Sequence, residues 1–116
     1  MKNSVSYPML ENNLKDAEIH ALESPDREVC GFVYENGYIP LTNIAKDPRT
    51  FIADPAEVAA ALAYQGEPLA IFHSHPNGDS NPSRADLRLA SYYNNSTLII
   101  GVFVSGKLEL KYVTNA

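Results

Sequence analysis

The chain has 116 residues, 45% of them apolar, which is enough for one domain with a core of its own. Its 9 Lys and Arg against 14 Asp and Glu leave a net charge of −5, which speaks against a nucleic-acid footprint. The single cysteine, Cys30, excludes an intrachain disulfide, and no apolar run approaches the roughly 20 residues of a membrane-spanning helix. The first residues, Met-Lys-Asn-Ser-Val-Ser-Tyr-Pro, contain no apolar signal-peptide core, so a reducing, cytoplasmic setting is expected.

In chain order, Leu10, Leu14, Ala17 and Ala21 recur at helical spacing and predict an amphipathic helix over 9–24, closed by Pro25. Residues 28–34 read as a strand. Glu35-Asn36-Gly37 is a hairpin turn into a second strand over 38–45, where Pro40 marks an edge or a bulge. Asp54, Pro55 and Gly66 are the N-cap, first residue and stop of a second helix. Residues 69–74 form a buried strand, 76–82 a turn-rich loop and 84–94 a third helix. A hairpin over 97–104 and 107–113, turning at Ser105-Gly106, ends the chain. Helices interleaved with strands predict a mixed α/β (α+β) layered domain.

The segment His73-Ser-His-Pro-Asn-Gly-Asp-Ser-Asn-Pro-Ser-Arg-Ala-Asp86 concentrates the chemistry. On a strand, His73 and His75 project from one face about 7 Å apart and Ser74 from the other, so both imidazoles can converge on one ion. Pro76 ends the strand there. Ser83-x-x-Asp86 has the form of a capping box, with an Asp in place of the usual Glu or Gln. A carboxylate held in the first turn of a helix is also in the form that binds metal, and a serine at a helix start can serve an oxyanion. His73, His75 and Asp86 thus offer three ligands for zinc, and three protein ligands leave a position for a hydrolytic water. Each residue alone has a plainer reading, as a satisfied histidine or a helix cap.

The spacing His-x-His-Pro, seven residues counted from that proline, then Ser-x-x-Asp resembles the motif of the JAMM/MPN (prokaryotic JAB) zinc metalloprotease family. Glu28-Val29-Cys30-Gly31 resembles the upstream part of that family's pattern, and the elements run in family order over most of the chain. The resemblance implies a single three-layer domain over 1–116, a mixed sheet flanked by helices, similar to cytidine deaminases. It implies zinc on His73, His75 and Asp86, Glu28 as proton acceptor and donor, and Ser83 as stabiliser of the tetrahedral intermediate. Without the motif, Glu28 reads as a solvated carboxylate at a strand start.

Within the family, Pro25 to Gly31, Asn43-Ile44-Ala45 and Phe51 to Pro55 resemble prokaryotic and phage versions, in particular the N-terminal domain of lambda-type phage tail assembly K proteins. RadC-like proteins carry a similar metal segment, but Glu28-x-Cys30-Gly31 and the acidic charge favour a peptidase. The expected activity is therefore hydrolysis of a peptide or isopeptide bond, with a protein or peptide substrate. Phage tail proteins, or a separate NlpC/P60-type peptidase, are the expected partners, and the host cytoplasm or a virion tail the expected location. The alternative is a structural tail-tip component that keeps the fold. Among lesser residues, Cys30 reads as a buried cysteine or a fourth ligand, and Asp79 as a solvated turn residue or a ligand. Arg84 reads as the partner of a local carboxylate, His20 as an exposed helix residue and Tyr92-Tyr93 as packing.

Overall fold

A computed structural model describes residues 7–47, 50–76, 86–87 and 97–113. Among the described residues, the helices α1 (Tyr7–Glu23) and α2 (Pro55–Gln65) accompany the strands β1 (Cys30–Tyr34), β2 (Gly37–Leu41), β3 (Ala70–His75), β4 (Thr97–Val104) and β5 (Lys107–Val113). The strands form one mixed sheet in the order β2-β1-β3-β4-β5. Only β3 and β4 run parallel; the other three neighbouring pairs are antiparallel. The chain is thus an α+β domain, as the interleaved pattern predicts.

The sheet separates two apolar clusters. Leu14, Ala17 and Ala21 of α1 pack with Val29, Val33, Ala70, Phe72 and Ile99 on one face. Ala61, Val58 and Leu62 of α2 pack with Phe32, Ile71, Leu98 and Ile100 on the other. β3 is buried along its whole length, which suits the run Ala-Ile-Phe-His-Ser-His at the centre of a sheet covered on both sides. Burial of each large apolar side chain contributes roughly 1.5–3 kcal/mol before entropy is set against it.

The local signals account for most boundaries. Asp54 caps α2 by accepting from the Ala56 N–H at 2.9 Å, Pro55 opens the helix, and the Gly66 N–H closes it on Leu62 O with φ +75°. Ser105 and Gly106 both have positive φ, +52° and +78°, the two-residue turn that matches strand twist between β4 and β5. Pro40 lies in β2, an edge strand, where a missing N–H is tolerated.

Two expected strands are shorter than the sequence suggests. β1 starts at Cys30 rather than residue 28, and β2 stops at Leu41 rather than 45. Beyond Leu41 the chain leaves β1 and pairs with its own later segment: Ile44 N donates to Ile52 O, Asp54 N donates to Thr42 O, and Asn43 bridges Ala53. The expected loop over 76–82 (beyond Pro76) and most of the expected third helix lie outside the described residues; Asp86 and Leu87 are helical. Among the described residues, no helix is long and apolar enough to cross a membrane.

Candidate metal centre

β3 sets the geometry. Its alternation sends Ile71, His73 and His75 to the α2 side of the sheet and Ala70, Phe72 and Ser74 to the α1 side. His73 and His75 are 1% and 5% exposed, with ring centroids 4.9 Å apart and nearly perpendicular planes. Phe51 lies against His73, centroid to centroid 3.8 Å, and shields that ring from solvent. The sequence expectation that both imidazoles leave one face while Ser74 points away describes the strand as it stands.

Two buried carboxylates face these rings. Asp86, fully buried, contacts His73 Nδ1 and also His75 Nε2, the latter at 2.9 Å, so one carboxylate joins both imidazoles. Glu28, 7% exposed, reaches from the residues before β1 and places Oε1 3.1 Å from His73 Nε2. That nitrogen is buried and, among the described residues, makes no hydrogen bond; Glu28 Oε1 is its ion-pair neighbour. Glu28, His73 and His75 each offer a ligand atom, and all three atoms lie within 4.8 Å of one another. Buried imidazole nitrogens beside carboxylate oxygens are a donor set that could hold a divalent metal ion, and a buried ring nitrogen without a hydrogen bond is a place where a cation would repay desolvation.

The other expected residues divide. Cys30 pairs in register with His73 but belongs to the α2-side apolar cluster, outside the group of close ligand atoms. Burial first, then the charges of Glu57 and Glu28, push its thiol up to about 12. In the metal-free chain it is a protonated, buried core thiol. Ser83, Asp79, Arg84, Tyr92 and Tyr93 lie outside the described residues.

His20 is not an exposed helix residue. It is half-buried, and its Nδ1 meets the Tyr38 hydroxyl at 2.6 Å. Burial lowers its pKa and the Glu23 charge opposes that shift. Gly31 belongs to the same packing: a Cβ there would sit 2.1 Å from Tyr38 Oη, so the glycine of the Cys-Gly pair makes room for the Tyr38 ring.

Residues without an expected role at the site complete the surroundings. Asn43 Nδ2 donates to Glu28 O at 2.9 Å, and Arg27 donates to the carbonyls of Asn43 and Ala45. Beside Glu28 lies a cavity of about 410 Å³ bordered by His20, Arg27, Thr42, Asn43 and Glu57. No spacing in the sequence marks Asn43, because it meets Glu28 only after the chain turns past β2.

Comparison with known proteins fits this arrangement. A family model described as prokaryotic homologs of the JAB domain matches residues 15–111. Over 72 residues the chain is 36% identical to the tail tip assembly protein K of Escherichia phage N15, covering 58% of this chain and 29% of that protein. The chain thus spans less than a third of that relative's length. Two solution structures share the fold. A protein from Desulfitobacterium hafniense superposes with a TM-score of 0.67 at 24% identity, covering 88% of this chain and 79% of its own. A protein from Salinibacter ruber does so with a TM-score of 0.51 at 23% identity, covering 96% and 80%.

Proposed function

The chain belongs to the family of prokaryotic homologs of the JAB domain, and on that premise we propose that it is a zinc-dependent hydrolase of peptide or isopeptide bonds. The observation that carries this reading is the buried His73 Nε2, which makes no hydrogen bond among the described residues and lies in a nest of histidine and carboxylate groups. His73, His75 and Asp86 are the proposed ligands. A bound zinc would polarise the scissile carbonyl and lower the pKa of water towards about 7.

The chain's own residues do the rest. Glu28 accepts a proton from the attacking water through its carboxylate and passes it to the departing amine. Ser83 is proposed as donor to the oxyanion, on the strength of the Ser-x-x-Asp spacing. β3 fixes the backbone of both histidines and Asp86 already lies against both rings, so the three proposed ligands stand side by side before a metal arrives. The cavity beside Glu28 gives room for one flank of the substrate.

Metal stoichiometry tests the proposal. About one zinc per wild-type chain is expected, lost in His75→Ala and kept in Glu28→Ala. Glu28→Ala should retain the fold and lose hydrolysis. A wild-type chain that takes no zinc when zinc is added back would overturn the reading.

The phage N15 relative favours a second reading, a structural part in a phage tail tip. Tail proteins or a separate NlpC/P60-type peptidase would then be the partners, in the host cytoplasm or in the virion. Normal tail assembly with Glu28→Ala, with no tail protein cleaved by the wild type, would select the structural role.

A further inference from the structure

The peptide unit between Glu28 and Val29 is held at both polar ends by side chains. Its oxygen, Glu28 O, accepts from Asn43 Nδ2 at 2.9 Å, and its nitrogen, Val29 N, donates to Ser74 Oγ at 2.9 Å. The regular ladder of β1 begins one residue later, at Cys30.

Both side chains are themselves anchored. Asn43 uses its whole amide: Nδ2 also donates to Thr50 O at 3.0 Å, and Oδ1 accepts from Ala45 N at 3.0 Å and Ile52 N at 3.1 Å. Its neighbour Thr42 gives its N–H and hydroxyl to the two carboxylate oxygens of Glu57, in the first turn of α2, at 2.6 and 2.8 Å. Ser74 stands between His73 and His75, fully buried, and its own N–H donates to Val29 O at 2.9 Å.

We propose that Asn43 and Ser74 are positioning residues that lock the plane of the Glu28–Val29 peptide and so hold the Glu28 carboxylate against His73. The proposal rests on reading Glu28 as the base at a centre built on His73 and His75. Glu28 lies outside the ladder, so without these two bonds its peptide plane could turn about its neighbouring dihedrals. A Glu side chain has three rotatable bonds beyond that plane and would carry the displacement outward. Catalytic groups must be held to within about 0.5 Å, and a misplacement of about 1 Å can cost on the order of 100-fold in rate. Ser74 gives the tether a second property: the strand that carries the histidines also grips the base's backbone, so the two parts move as one body.

The test reads the His73 ring nitrogens by NMR in metal-free, nitrogen-15-labelled protein at one fixed pH. Glu28→Gln should move the Nε2 signal. Ser74→Ala should move it in the same direction by a comparable amount. Ser74→Thr, which keeps the hydroxyl, should leave it near the wild-type position, and Ser74→Ala added to Glu28→Gln should move it no further. A signal unmoved by Ser74→Ala or by Glu28→Gln overturns the proposal, as does an equal extra shift in the double variant, which would mean plain distortion of β3. If Ser74→Ala fails to fold, Asn43→Asp carries the same comparison, because it keeps both acceptor bonds of the side chain and removes its donor bonds to Glu28 O and Thr50 O. Zinc is then added back to the same samples and the bound metal is measured. A wild-type chain that takes no zinc but shows the full His73 pattern would sink the hydrolase reading and leave the clamp standing.

Discussion

The two faces of the sheet draw opposite services from one strand. Towards α1, β3 offers Ala70, Phe72 and Ser74, and the apolar packing continues to the strand end, where Ser74 turns back to hold the Val29 backbone. Towards α2 it offers Ile71, His73 and His75, and the apolar packing gives way to imidazoles and carboxylates after the first of these. Helix lengths follow the same division: α1 has 17 residues and α2 has 11. A period of two along six residues is enough to keep chemistry and cohesion on opposite sides of one backbone. A slip of one residue in the pairing of β3 would exchange them, so the register Cys30↔His73 is a functional constraint as well as a packing one.

That division can be broken from either side. The largest expected effect is on the α1 face: Phe72→Ala should cost roughly 3–5 kcal/mol in urea unfolding of the metal-free protein. Zinc bound per folded chain should stay at the wild-type value; loss of zinc as well would mean that the faces are not separable. On the α2 face the expected effect depends on metal. Zinc at about 1,000 times its dissociation constant should stabilise the wild type by about 4 kcal/mol, read as a raised melting temperature, and a chelator should reverse it. His75→Ala should show no such rise.

The smallest effect belongs to His20, at the rim of the α1 face. Burial lowers its pKa in the folded protein, so the unfolded chain takes up the proton first as pH falls. Its contribution is therefore complete above the ordinary histidine value of about 6.5 and is lost as pH drops below it. His20→Gln should remove that part of the acid-side loss. Stability curves of variant and wild type that run parallel from pH 7 to 5 would contradict the assignment.

Much of this arrangement is legible in the residues. The ends of α2 follow from Asp54, Pro55 and Gly66, and the edge position of β2 from Pro40. The shared face of His73 and His75 needs only the alternation of a strand. What escapes the sequence is whatever depends on distant parts meeting. The insertion of β3 between β1 and β4 leaves no local mark. Nor does the bond from Asn43 to Glu28, because Asn43 reads as part of the second strand over 38–45, and nothing in that pattern ties it to a partner fifteen residues away. His20 was expected on the solvent side because the helical stripe runs through Leu14, Ala17 and Ala21. Tyr38, arriving from β2 over Gly31, covers it. Glu28 is a carboxylate before a strand until the fold sets it beside His73.

The fate of the sheet's two borders bears on how copies of this chain avoid one another. At one border, β2 lacks a donor at Pro40, and residues 42–44 just beyond it are already paired with 52–54. The opposite border is β5, long and regular, with Lys107, Glu109 and Lys111 exposed at alternate positions. Charges at that spacing make edge-to-edge growth unfavourable. Both borders thus carry features that disfavour edge-to-edge pairing, backbone chemistry at one and charge at the other.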